Sequence, residues 1–300
     1  MKKLSFEYLR ANKQMLMMQK KAVIKFADAV SFHITPEHTA GITSKADPIN
    51  IPADAKTLNA QLIINTTNLL DSHGDVHING LWKKTINEKK NLYLLQEHKM
   101  QFDKIIADNI KASTQNLAWT TLGQNYSGST EALVFNATID KSRNDYMFNQ
   151  YAKGFVKNHS VGMQYVTLFL CMNSEDRYDA EEKANWDKYI SVVANKQDAL
   201  DAGHFWAVTE AKLIEGSAVP LGSNWVTPTM TITDKGKPTC DNCGEELPEE
   251  EDCATCPNCN EKIKSIAPTI HATIPPAQPT FTDAELKQQN AKNNYQKLIF

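Results

Sequence analysis

Two short segments carry side chains of a kind that can do chemistry. Leu94-Leu95-Gln96-Glu97-His98 ends an apolar run in a histidine, and Asn158-His159-Ser160-Val161-Gly162-Met163 sets a serine at the mouth of another. A serine hydroxyl is a poor nucleophile until an imidazole can take its proton. A histidine and a serine held at strand ends on one rigid sheet meet that need. Neighbouring side chains of a strand point to opposite faces. If Ser160 faces a cleft, His159 faces away from it, and a histidine from elsewhere in the chain must act as the base. An acidic group would then fix the tautomer of that ring and stabilise the imidazolium. Glu210 and Glu215 share one late strand candidate, and their odd spacing puts them on opposite faces if the strand is regular, so only one can face such a site.

The surroundings of these residues carry a resemblance. Asp71-Ser72-His73-Gly74-Asp75-Val76-His77-Ile78-Asn79-Gly80-Leu81-Trp82 resembles the D-x-x-G-D-x-x-x-x-G-x-[FW] opening of the tailed-phage prohead maturation protease family. Leu94 to His98 resembles its LLxxH segment, and Ser160-Val161-Gly162-Met163 its S-[IV]-G-[FM] segment. Leu213-Ile214-Glu215-Gly216-Ser217-Ala218-Val219, followed by Leu221-Gly222-Ser223-Asn224, resembles its closing strand L-x-E-x-S-x-V…P-A-N. The segments stand in family order over residues 57–226. Two departures are visible: Gly222-Ser223 replaces the usual Pro-Ala, and a charged stretch separates the serine strand from the closing strand.

The resemblance implies a serine endopeptidase with Ser160 as nucleophile, His98 as base and Glu215 as the orienting acid. Related herpesvirus assembly proteases use a second histidine, which keeps His73, His77 and His204 open for the third role. The resemblance also implies a barrel-like protease core flanked by helices. It implies work in the host cell cytoplasm, inside an assembling procapsid, with scaffold segments, capsid-protein extensions and the chain itself as substrates. No cofactor is expected for catalysis. A non-enzymatic assembly or scaffold protein is the alternative from another class, and a zinc-ribbon regulator acting on nucleic acid is a weaker third. Homo-oligomerisation is left open.

A second chemistry sits near the C-terminus. Five of the six cysteines fall between Cys240 and Cys259, a distribution that suits a local metal site in a reducing compartment rather than a disulfide framework. Cys240-Asp241-Asn242-Cys243 and Cys256-Pro257-Asn258-Cys259 read as paired knuckles. Two thiolates from each tight turn complete a closed tetrahedron around a structural Zn²⁺, which leaves no open position for catalysis. Cys253 could pair with Cys256 instead, although the Cys-Pro-x-Cys of Cys256 and Cys259 makes the better knuckle. The acidic residues between the knuckles, Glu245 to Asp252, would repel phosphates, so the ribbon is expected to meet protein rather than nucleic acid. Asp71, His73, Asp75 and His77 alternate onto one strand face and offer a second ligand set, but Gly74 fits a turn followed by a polar strand face equally well.

The elements that must position these residues follow from composition and periodicity. The chain has 41% hydrophobic and 22% charged residues and a net charge of −3, which marks a soluble globular protein with no general drive toward nucleic acid or an acidic membrane. No apolar run of about 18 residues suggests a membrane span. Polar residues from Glu7 to Gln14 break any signal-peptide core. Leu58, Ala60, Leu62 and Ile64 alternate as in a strand, and further strands are expected over 92–95, 105–112, 117–122, 132–139, 161–171 and 206–218. Helices are expected over 5–22 with Met15, Leu16 and Met18 inward, over 146–155, and in the charged stretch 174–200 with Trp186, Tyr189, Ile190 and Val193 as its apolar stripe.

The expected class is therefore α+β or mainly β, an antiparallel barrel-like core with flanking helices, a small zinc ribbon and a C-terminal helix. The boundaries are an N-terminal helix and loop over 1–56, a catalytic domain over 57–226, a linker over 227–238, the ribbon over 239–264, a proline-bearing linker over 265–279 and a terminal helix over 280–300. That last helix opens with a capping box, Thr282 and Glu285.

Overall fold

The computed structural model describes residues 4–22, 51–88 and 91–234. The cysteine cluster with Cys240, Cys243, Cys256 and Cys259, both segments expected around 265–300 and most of the 34–56 loop lie outside the described residues. The chain divides into two compact units, Met1–Lys235 and Gly236–Phe300, and the described residues all belong to the first.

In chain order the described elements are α1 (Phe6–Ala22), β1 (Thr57–Thr66), β2 (Asp75–His77), α2 (Lys83–Glu88), β3 (Leu94–Gln96), β4 (Ile105–Ala107), β5 (Asn109–Ala118), β6 (Ser129–Asp140), α3 (Asp145–Ala152), β7 (Asn158–Met172), α4 (Ala180–Tyr189), α5 (Lys196–Ala202), β8 (His204–Val219) and β9 (Thr229–Asp234). The fold is α+β. The strands form two sheets, and neither closes into a barrel.

The first sheet has the order β5-β6-β1-β9 and is antiparallel throughout. Its core face is the alternating set foreseen in β1, with Leu58, Ala60, Leu62 and Ile64 all buried. The second sheet is built around β8. β7 runs antiparallel along one edge of β8 from Met172 to Asn158. The other edge is shared by two parallel strands, β2 opposite Trp206–Val208 and β3 opposite Gly216–Ala218, with β4 beyond β3. The sheets pack face to face where Gly216 meets the first sheet. A Cβ at Gly216 would stand 2.6 Å from a Phe135 ring carbon and 3.2 Å from Ile64 Cδ1. Phe135, Ile64, Leu62, Val161, Met163 and Leu213 fill the space between. Burying each such side chain contributes roughly 1.5–3 kcal/mol.

Several expectations are corrected. The stretch expected as a linker from residue 227 instead supplies β9, which covers the edge of β1. The strand expected over 105–112 divides at Asp108 into β4 and β5, and Trp119–Leu122 forms a 3₁₀ turn after β5 rather than more strand. Helix α1 turns a different face inward. Leu9 is buried with Phe6, Leu16 and Met17 against the core, whereas Met15 and Met18 are exposed. Ion pairs choose that orientation. Arg10 binds Asp179 at 2.6 Å and Asp176 at 2.8 Å, Lys13 binds Glu182 at 2.6 Å, and Lys20 reaches Asp75. Ser5 Oγ caps the helix by accepting from Tyr8 N at 3.2 Å.

The helix expected over 146–155 is found as α3, whereas the charged stretch 174–200 divides into α4 and α5 with 3₁₀ turns around α4, and α2 was not foreseen. Asn144 Oδ1 accepts from Met147 N at 3.0 Å to cap α3, and Gly154 follows the helix with φ 67°. In the charged stretch, Trp186, Tyr189 and Val193 are buried against Phe205 and Cys171 of the second sheet. Among the described residues, no helix is long and apolar enough to cross a membrane.

Candidate active site

The site is assembled on the outer face of the second sheet, where β3 and β7 flank the end of β8. Ser160 stands opposite Ser217, and Gly162 stands opposite Glu215. Directly paired residues of an antiparallel ladder present their side chains to the same face, about 4.5–5.5 Å apart. Ser160, Ser217 and Glu215 therefore share one face, while Val161 and Gly216 point into the core between the sheets.

His98 reaches this face through an unusual turn. β3 ends at Gln96, and both Glu97 (φ 52°) and His98 (φ 56°) take the left-handed conformation. Two consecutive non-glycine residues there are costly and persist only when their surroundings hold them. Here the holding bonds are Glu97 N to Ala218 O at 3.0 Å and Lys99 N to Gln96 O at 3.0 Å. A third runs from His98 N to Ser217 Oγ at 3.1 Å. The turn folds the imidazole back over β8, where Nδ1 lies 2.6 Å from Glu215 Oε1. Since a carboxylate only accepts, Nδ1 carries the proton and Nε2 is the basic nitrogen of the neutral ring.

Glu215 is fully buried and committed on both oxygens, because Ser217 Oγ donates to Oε2 at 2.6 Å. Gly162 is what makes room for it. A Cβ at that position would fall 2.2 Å from Glu215 Oε1. Next to the site, the 220–224 turn approaches so closely that a Cβ on Gly222 would lie 3.0 Å from His159 O and 3.8 Å from Ser160 Cβ. Asn224 pins that turn to β1, donating to Thr66 O at 2.9 Å and accepting from Val226 N at 3.1 Å. Ser160 is 3% exposed, and its Oγ makes no hydrogen bond. A buried hydroxyl without a partner is unusual and calls for an explanation.

The other sequence candidates fall elsewhere. His159 points away from Ser160, as alternation requires. Its Nδ1 donates to Thr227 O at 3.0 Å and its Nε2 accepts from Tyr151 OH at 3.0 Å. Burial lowers its pKa to about 4, so the ring is neutral. Glu210 binds Lys84 at 3.0 Å, five residues along β8 from Glu215 and beyond a bulge, and does not join His98. His204 sits at the far end of β8, with Nδ1 3.2 Å from Ala202 O.

Asp71, His73 and Asp75 bring ligand atoms within 4.8 Å of one another. Their carboxylates already have partners: Asp71 Oδ1 accepts from His73 N and Asp75 N, while Asp75 accepts from Lys20 and from Tyr165 OH. His77 parts from the set and instead contacts Asn65 at 2.9 Å and Tyr165 at 3.2 Å. Ser217 is the site residue that sequence reasoning left without a role. Its position two residues after Glu215, on the same strand face, was the available signal.

Comparison of the chain with protein-family models, with curated proteins and with solved structures finds no match to any of the three.

Proposed function

We propose that the protein is a serine endopeptidase in which Ser160 attacks the scissile carbonyl, His98 accepts its proton and Glu215 orients His98. The observation that carries this reading is the buried His98 Nδ1–Glu215 Oε1 contact of 2.6 Å, on the sheet face that also presents the unpartnered Ser160 hydroxyl. In the reaction, Ser160 Oγ bonds to the carbonyl carbon as its proton passes to His98 Nε2. The same nitrogen then returns that proton to the leaving amine, and water releases the acyl group by the reverse sequence. Glu215 accepts from His98 Nδ1 throughout, and Ser217 keeps its carboxyl group aimed at the ring.

The four family-like segments support the narrower assignment. It is a prohead maturation protease acting in the host cytoplasm within an assembling procapsid, on scaffold and capsid proteins and on itself, with the two-sheet body as its protease core. The donor set Cys240, Cys243, Cys256 and Cys259 suits a closed structural zinc site that takes no part in the chemistry.

A second reading has one observation in its favour. Ser160 and His98 are only 3% and 9% exposed, so a substrate carbonyl reaches them only after some movement. A non-enzymatic assembly protein would keep such a site closed. A fluorophosphonate probe separates the two readings. Labelling of Ser160 that disappears in His98→Ala, with the circular dichroism spectrum unchanged, is the expected result. A correctly folded protein that stays unlabelled at Ser160 under conditions that cleave capsid or scaffold protein would overturn the serine mechanism. No cleavage at all would favour the assembly protein.

A further inference from the structure

Helix α1 has two apolar faces, and the body of the protein uses one of them. Phe6, Leu9, Leu16 and Met17 pack on the core, while Arg10, Lys13 and Lys20 tie the same side down by ion pairs. On the opposite side stand Tyr8, Ala11, Met15, Met18 and Ala22, all exposed, with exposed Leu4 just ahead of the helix. The large ones expose 37% (Leu4), 43% (Tyr8), 45% (Met15) and 70% (Met18) of their surface. Their spacing alternates four and three, which is the seam of a heptad repeat. A helix held on one side by a body needs no second seam of this kind for its own fold.

We propose that this seam is a docking surface for a second copy of the same chain, with the two α1 helices antiparallel across a two-fold axis. The self-complementarity of the seam selects this occupant. In the antiparallel register centred on the seam, Tyr8 lies opposite the partner's Met18 and Ala11 opposite the partner's Met15, while Ala22 falls at the end where the partner's chain enters its helix. Small meets large in the two central Ala11–Met15 layers, so the helices can approach evenly there. The flanking positions agree. Glu7 falls beside the partner's Lys21, and by symmetry Lys21 beside the partner's Glu7, giving two opposite-charge pairs. Neither side chain forms an ion pair among the described residues. The remaining flanks, Ser5, Asn12, Gln14 and Gln19, are uncharged and set up no repulsion.

A parallel, in-register pair has neither advantage. Alanine would meet alanine and methionine would meet methionine, and Glu7 would face the partner's Asn12. An isologous contact of this kind is closed and makes a dimer rather than a fibre. Among the described residues the body packs on the far side of α1, so in such a pair the two described bodies lie on opposite sides of the helices.

Sedimentation of the full-length protein across a micromolar concentration range tests the proposal. The expected result is a concentration-dependent species of twice the chain mass that is lost in Met15→Glu/Met18→Glu, both positions being exposed. Glu7→Lys should weaken the dimer about five- to tenfold, since two flanking pairs become repulsive at once. Adding Lys21→Glu to that variant should restore it. A protein that stays monomeric throughout overturns the proposal. So does a dimer indifferent to the double methionine change, or one that the second charge reversal fails to rescue. Methionines 15 and 18 protected from peroxide in a strictly monomeric protein would assign the seam to another stretch of this chain, and equally overturn it.

Discussion

The geometry at Gly162 gives the serine segment its meaning at the scale of single residues. The pattern Ser160-Val161-Gly162 can be read as a motif, but its physical content is a missing side chain. Glu215 fits beneath His98 only because nothing projects from residue 162. Gly162→Ala should therefore displace the carboxylate while leaving both sheets intact. We expect hydrolysis to fall at least about a hundredfold, the order seen when one positioned catalytic interaction is lost. The check is kcat beside a near-native melting curve. His159 is neutral in the fold, with its pKa lowered to about 4 by burial. The unfolded chain binds that proton near pH ~6.5. The unfolded state therefore holds more protons between those values, and stability contributed at neutral pH is lost as pH falls through the window. Unfolding free energies from urea titrations at pH ~7 and ~4.5 should differ by about 2–3 kcal/mol on this account, and His159→Gln should flatten the difference. An unchanged slope in the variant would place the acid sensitivity elsewhere.

At the scale of elements, what could be read in advance was what repeats along the chain. β1 declared itself by alternation, and the apolar stripe of Trp186, Tyr189 and Val193 did so by its spacing. β2 did not, because Asp75, Val76 and His77 are all buried and give no contrast between faces. β9 was hidden by its threonines and by the prolines on either side of it. Its partner β1 is what makes it a strand. The face of α1 was misread because apolar residues surround the helix, and only the acids of the 176–182 region and Asp75 decide which side is held. The candidate residues His98, Ser160 and Glu215 could be named from the sequence. The turn at residues 97–98 and the role of Ser217 were not, since both depend on a register that no single strand encodes. Lys20 gives a direct test of the anchoring. Asp75 has no exposed side-chain surface, and Lys20 retains some. Lys20→Met should cost about 3 kcal/mol, the low end for breaking a buried pair, with faster hydrogen exchange along α1. A loss under about 0.5 kcal/mol would mean that apolar packing alone holds the helix.

At the scale of the whole molecule, the chain is two compact units, and the proposed chemistry lies in the first. If the cysteine pairs hold zinc as a closed structural site, its removal unfolds that ribbon and leaves peptide hydrolysis standing. Chelation followed by metal analysis and an activity assay, with Cys243→Ser as the second arm, should show metal loss with most of the rate retained. Loss of activity with the two sheets intact would show that the units are coupled.

The continuity of β8 also sets a timetable for the making of this protein. Its sixteen residues are the shared neighbour of β2, β3 and β7, every one of which leaves the ribosome earlier. A nascent chain that stops short of His204 already contains both the alcohol and the imidazole, but nothing that aligns them. Pairings so distant along the polypeptide form slowly, and late in synthesis. On the reading proposed above, the growing chain passes most of its translation without an assembled centre, which is completed only when one late strand threads between three waiting ones.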